Sequence, residues 1–370
     1  MDAVFSEQLK WAKPRGLILN KNLERRSVDG LFGMYTTGDI SSNELLASFP
    51  EDKLIRANKK STKGDEEQFW LNWIKVAAEE FTNPKSDYTG VFLGFEKLED
   101  MKDYSSYFCD EDELETIQNM SPVLHRWVVN ANAKAKSVID SLLKTDSSLD
   151  KETILTIYLN IRSRGFNPQG VVPVLDQFNH SDIHGQGSVS EFGSIAFYSK
   201  RAYKSGEQVF ISYGPKDLYK HAIHYNYFDP SGTHLIEFGR KSIQSAEGGV
   251  GQTLYRHLNK HFKLQTMHSD GHKCFFVADD SVILTEYGLT DALKKFLKEA
   301  CRCRLPKNTS EQEIMRHATQ YFVYLIDQQL RMNRAHTIAK EAITPRLERF
   351  YNLLLKEQQI LLLNRKKITG

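Results

Sequence analysis

The sequence predicts an α+β protein with a β-rich core in two separated stretches. A helical insertion parts the two stretches, and a mostly helical domain closes the chain. Three observations predict this. Short β-prone runs punctuated by glycine and proline fill residues 30–55 and recur over residues 171–213. Between these stretches, apolar residues recur at helical spacing. From Thr290 onward the pattern is helical almost to the C-terminus.

Taken in order, Tyr35-Thr36-Thr37 leads into Gly38-Asp39, and Leu45-Leu46-Ala47-Ser48-Phe49 stops at Pro50. The stretch reads as two strands joined by a turn. The polar run Lys59–Asp65 reads as a loop. A helix then begins near Asp65, with Phe69, Trp70, Trp73, Ile74, Ala77 and Phe81 on one face. Further helical patterns cover Asp110–Gln118, Pro122–Leu143 and Lys151–Ser163. Val171, Val172, Val174 and Leu175 form a strand-like run, followed by Ser194–Tyr198 and Gln208–Tyr213. Strands are expected at His234–Phe238 and Lys273–Val277, and long helices at Thr290–Cys301, Ser310–Met332 and Thr337–Asn364. A composition shift near residues 240–250 places the boundary between a domain over 20–245 and a helical domain over 246–370. The first has its β core in 20–55 and 160–230 and its insertion over about 56–159.

Composition narrows the function. Of 370 residues, 40% are hydrophobic, enough for a substantial core. Lys plus Arg number 49 and Asp plus Glu 47, a net charge of +2 without the footprint of a nucleic-acid binder. The Arg365-Lys366-Lys367 run is too short to change that. Four scattered cysteines, Cys109, Cys274, Cys301 and Cys303, make no disulfide framework and fit a reducing compartment. His268-x3-His272-x-Cys274 and Cys301-Arg302-Cys303 do not add up to a four-ligand site, so no metal is expected. The start Met1-Asp2-Ala3 shows no secretory signal, and runs such as Ile360–Leu363 are too short to span a bilayer. The expectation is a cytoplasmic protein, with the nucleus as the second option.

Three segments carry the chemistry. The first runs from Asp29-Gly30-Leu31-Phe32-Gly33 to Ile40, where glycine permits close backbone approach. The second is Asp176-Gln177-Phe178-Asn179-His180-Ser181, directly after an apolar run. The third is Gly206-Glu207-Gln208-Val209-Phe210-Ile211-Ser212-Tyr213-Gly214. Each alone reads as an ordinary turn or hairpin. In this order, and with Ser163-Arg164-Gly165-Phe166 before the second, they resemble the SET domain. The resemblance is to the branch with Rubisco large-subunit methyltransferase, ribosomal-protein lysine methyltransferases and the actin-histidine methyltransferase. It is strong over about 160–228, moderate over 28–55, and continues through Lys216-Asp217-Leu218 to His224-Tyr225. Two positions depart from the family pattern. Leu31 stands at the first glycine of Gly-x-Gly, with Gly30 displaced by one, and Asn226-Tyr227 stand where the family has Gly-Phe.

The resemblance implies a SET core with a knot-like crossing, a helical inserted subdomain and a C-terminal substrate-binding domain. It implies S-adenosyl-L-methionine as cofactor, held by Phe32, Gly33, Arg164, Asn179, His180 and Tyr213. Tyr213 is the implied catalytic phenol, and Phe166 and Tyr225 are implied walls of the substrate channel. The reaction is an in-line displacement, which needs an uncharged nitrogen and tight alignment. Phe166 cannot offer a polar partner to the second nitrogen of an imidazole, so lysine is the expected acceptor. The implied partner is a non-histone protein substrate, with ribosomal and translation-related proteins among the candidates, acted on by a monomer. A protein-histidine methyltransferase and an inactive SET-fold scaffold are the alternatives.

Overall fold

Helices and strands follow the hydrophobic periods, and several helix starts are set by a capping side chain. In this computed structural model the described residues are 3–28, 31–55, 66–83, 85–146, 148–166, 170–181, 184–213, 218–226, 228, 235–237, 264–269, 272–277 and 283–369. Gly30, the Lys59–Asp65 run, Gly214, Tyr227 and the 240–250 boundary lie outside them. The helices are α1 (Ala3–Ala12), α2 (Glu66–Thr82), α3 (Thr89–Phe92), α4 (Leu98–Lys102), α5 (Glu111–Met120), α6 (Pro122–Thr145), α7 (Lys151–Arg164), α8 (Leu218–His224), α9 (Asp291–Arg302), α10 (Glu311–Met332) and α11 (Pro345–Thr369). The strands are β1 (Ile18–Leu19), β2 (Leu23–Val28), β3 (Leu31–Thr36), β4 (Leu45–Pro50), β5 (Gly165–Phe166), β6 (Gly170–Val171), β7 (Asn179–His180), β8 (Val189–Glu191), β9 (Ser194–Tyr198), β10 (Gln208–Ile211), β11 (Leu235–Glu237), β12 (Leu264–Ser269), β13 (His272–Val277), β14 (Ile283–Thr285) and β15 (Gly288–Leu289). Asp150 caps α7, Thr290 caps α9 and Ser310 caps α10, while Asp110 and Glu113 form a reciprocal capping box on α5.

Two compact units emerge. One comprises residues 1–109, 127–214 and 223–226, and the other 110–126, 215–222 and 227–370. The first unit holds two four-stranded sheets, ordered β1-β4-β9-β8 and β2-β3-β10-β7. Phe49, Phe178, Phe197, Met34, Val209 and Ile211 are buried in the core these strands share. A second core in the same unit gathers Trp73, Ile74, Ala77, Val138, Ile139, Leu155 and Tyr158 from α2, α6 and α7.

Two expectations change here. The strands flanking the Gly38 turn are not paired with each other: β3 joins one sheet and β4 the other. The Val171–Leu175 run is extended only at its start. Val174 takes φ +71°, and Leu175–Gln177 form a 3-10 turn. Val172, Val174 and Leu175 are all fully buried. An apolar run reports burial, and this one fills a core without being a strand. A β-branched residue at positive φ costs about 1–3 kcal/mol. Here that strain directs the chain into Asp176–His180.

The second unit is built on α5, α9, α10 and α11. Glu357 of α11 is fully buried and accepts from the Tyr219 hydroxyl at 2.9 Å, Gln329 at 3.1 Å and Asn333 at 3.0 Å. The last helix starts later than Thr337, because Pro345 disfavours α-helical backbone at Thr344 and itself suits the first helical turn. Two 3-10 turns, Ala335–Thr337 and Lys340–Ala342, occupy the difference.

Candidate functional site

The site grows from the middle of the second sheet. β10 pairs with β7 in parallel, Phe210 opposite Asn179 and Ile211 opposite His180. On its other edge β10 pairs with β3, Val209 opposite Met34. Residues more than a hundred positions apart therefore meet. The Asn179 side-chain amide donates to the Phe32 carbonyl at 2.8 Å. Gly33 leaves room for both side chains: a Cβ there would lie 2.4 Å from Gln208 Nε2 and 2.9 Å from Asn179 Nδ2, so that they would have to shift. Phe32 is 48% exposed, so its ring is available to a ligand. His180 Nδ1 accepts the Tyr213 backbone N–H at 3.0 Å, which fixes the neutral ring as the Nε2–H tautomer. The two rings stack with centroids 5.0 Å apart.

Tyr213 follows the end of β10, and its hydroxyl donates to the Phe178 carbonyl at 2.8 Å. A phenol has one hydrogen, so toward any further group this oxygen can act only as an acceptor. The Tyr225 ring stands 4.7 Å from that of Tyr213, and burial pushes the Tyr225 phenol up to about 12. The two phenol rings thus stand side by side. Arg162 Nε donates to His224 Nδ1 at 3.2 Å, fixing the residue before Tyr225. The next residue, Asn226, has φ +51°. After glycine, asparagine is among the residues that tolerate this left-handed region best, so the departure from the family glycine is accommodated locally. Phe166 packs against Phe197, ring centroids 5.5 Å apart.

Beside these residues is a cluster of charges. Arg164, at the end of α7, contacts Glu96 at 2.6 Å and the fully buried Asp176 at 3.5 Å. Burial works against the Arg164 cation, but Asp176 and Glu96 outweigh it and raise its hold on the proton. Burial likewise pushes the Asp176 carboxyl up, against the pull of Arg164. Glu96 is held in place from α7: its N–H donates to Asn160 Oδ1 at 2.8 Å, and Asn160 Nδ2 donates to its carbonyl at 2.9 Å. Arg25 reaches the same cluster from β2. Arg164 Nε is buried and finds no hydrogen-bond partner among the described residues. A buried guanidinium N–H of this kind suits an anionic acceptor that the chain itself does not supply.

The structure brings Phe32, Gly33 and Asn179 together, and likewise His180, Tyr213 and Tyr225. Arg164 lies with Glu96 and Asp176. Sequence reasoning missed Arg25, Glu96, Asn160 and Arg162 as members of the site. Asp176 and Gln208 stood in its motifs without a role. Asp176 had a signal, lying three residues before Asn179, whereas Glu96 lies 68 residues before Arg164 in a segment with no motif.

The family model for the SET domain matches residues 31–214, a range that takes in Phe32, Gly33, Arg164, Asn179, His180 and Tyr213. The chain carries a SET domain. Among similar solved structures are the SET domain of LSMT bound to lysine and AdoHcy, with TM-score 0.64 and 16% identity. Others are Rubisco LSMT bound to sinefungin and monomethyllysine, with TM-score 0.62 and 16% identity, and Rubisco LSMT bound to AdoMet, with TM-score 0.63 and 16% identity. Each covers 100% of this chain and 92% of its own. The fold is therefore the mixed helix-and-sheet SET architecture expected from the motifs. Among curated proteins, none matches the chain at significant similarity.

Proposed function

We propose that the chain is an S-adenosyl-L-methionine-dependent protein-lysine N-methyltransferase. The observation that carries this reading is the convergence of Phe32, Gly33, Asn179, His180 and Tyr213 around one parallel strand pair, within the range of the SET-domain match. Of the similar solved structures, one is bound to lysine and AdoHcy, one to sinefungin and monomethyllysine, and one to AdoMet, which supports the same reading.

The residues fit the cofactor. The orphaned Arg164 Nε suits its carboxylate, and the exposed Phe32 ring beside Gly33 suits close approach of a flat group. When bound, S-adenosyl-L-methionine supplies an activated methyl group. The protein has to align a neutral nitrogen with it and keep water away. Tyr213 does the first part: its hydrogen is committed to Phe178, so its oxygen accepts from the incoming amine and orients it. Tyr213 and Tyr225 do the second. Their paired rings make a weakly polar wall, and desolvation there disfavours the ammonium form of a lysine. Tyr225 stays neutral across the working pH range because its phenol is pushed up to about 12.

The proposal extends to a non-histone acceptor, with ribosomal and translation-related proteins first in line, and to a monomer acting in the cytoplasm. Four scattered cysteines and the near-even charge balance, 49 against 47, support that part of it. Methyl-labelled cofactor, incubated with the protein and a cell extract, tests the reading. One or a few proteins are expected to take up label on lysine, as read by mass spectrometry. Label on histidine would instead favour the histidine-directed alternative, and no transfer to any protein the scaffold alternative.

A further inference from the structure

Arg25 belongs to no motif, yet it stands among the groups of the candidate site. It lies on β2 opposite Met34, one register position from the Arg26–Gly33 pair. It shares a strand face with the buried Leu23, two residues before it. Its guanidinium carbon is 3.9 Å from the centroid of the Phe32 ring, and the Phe32 carbonyl is the acceptor of the Asn179 amide. Asp176 and Glu96 attract the Arg25 cation, and Arg164 repels it. Arg25 is thus within electrostatic reach of the group in which Arg164 contacts the buried Asp176 carboxylate and Glu96, which is 41% exposed at the margin. The Arg164 Nε–H is directed to no acceptor among the described residues. A buried guanidinium N–H without an acceptor, with a second guanidinium in electrostatic reach, suits an anionic oxygen.

We infer that Arg25 is a second cofactor-binding cation, which with Arg164 clamps the carboxylate of the amino-acid tail of S-adenosylmethionine. The inference rests on the proposed cofactor. A carboxylate has two oxygens, and each guanidinium supplies one of them with a charge-assisted hydrogen bond. The same placement keeps the Arg25 cation over Phe32, so tail binding and the position of that ring are linked.

Calorimetry with two ligands tests it. S-adenosylhomocysteine carries the carboxylate, and 5′-methylthioadenosine keeps the nucleoside and thioether but lacks the amino-acid tail. Arg25→Met is expected to weaken S-adenosylhomocysteine binding about tenfold or more and leave 5′-methylthioadenosine within about twofold. Arg25→Lys, which keeps the charge, is expected to lose less of the first affinity. Equal loss for both ligands, or no loss for either, would overturn the inference, because packing against Phe32 would then be the whole role of Arg25. Thermal melting confirms that each variant is folded. The wild-type protein needs no variant for a further check: binding the methyl ester of S-adenosylhomocysteine as tightly as the free acid would also overturn the clamp. Failure of the cofactor reading looks different, since the wild-type chain would then bind none of these ligands.

Discussion

At Asp176, burial and ion pairing act in opposite directions. The carboxyl is fully buried, and desolvation raises it above its ordinary value in spite of Arg164 at 3.5 Å. A carboxyl raised in the folded state contributes stability that is complete below the ordinary carboxylate range and is lost as pH rises through the raised value. Arg164→Met removes the downward pull and raises Asp176 further. The variant is predicted to lose about 3 kcal/mol at neutral pH, where a buried charge is left without its partner. The deficit should shrink as pH falls and Asp176 takes up its proton. Denaturant melts of the two proteins at pH 4 and pH 8 measure this, and a deficit that is the same at both would contradict the account of Asp176. Residues of this kind were only partly legible. Asn179, His180 and Tyr213 stood inside segments whose order and spacing carry information. Arg25 and Glu96 are ordinary charged residues by sequence, and only the fold brings them to Arg164.

At the scale of elements, α7 does more than fill the core. Its Asn160, 1% exposed, makes both backbone hydrogen bonds of Glu96 and also donates to the Thr156 carbonyl at 3.0 Å. Asn160→Ala leaves a part-buried N–H and carbonyl of Glu96 without their Asn160 partner, and is predicted to cost about 1–3 kcal/mol. Urea unfolding should show a lower midpoint at unchanged slope, whereas a loss under about 0.5 kcal/mol would mean that the Glu96 segment is held by other contacts. The helices were legible because long apolar periods and capping side chains act locally and agree with each other. The expected Lys151–Ser163 helix is observed as Lys151–Arg164, and Ser310–Met332 as Glu311–Met332. The Val171–Leu175 run misled because composition does not distinguish a buried strand from a buried turn, and only the backbone shows Val174 at φ +71°. β2 and its Arg25 carried no strand signal in the sequence, since Glu24-Arg25-Arg26-Ser27 is polar on both faces.

For the whole molecule, the α+β class and the helical insertion could be read because strands and helices were segregated along the chain. The pairing of strands could not be read locally: β3 meets β10 across about 170 residues, and no short-range rule specifies that. The motifs bridged that gap, because they report the same juxtaposition through the residues it requires. The account's central claim is that this juxtaposition makes Tyr213 the group that orients the acceptor nitrogen. Tyr213→Phe keeps the ring and its stacking on His180, and removes only the hydroxyl bonded to Phe178. Single-turnover methyl transfer to the labelled acceptor, with thermal melting and S-adenosylhomocysteine calorimetry on the same preparation, tests it. The account predicts a folded variant with nearly unchanged ligand affinity and a rate lower by about ten- to a thousandfold, roughly 1.4–4 kcal/mol. A folded Tyr213→Phe protein that transfers methyl at the wild-type rate would contradict it.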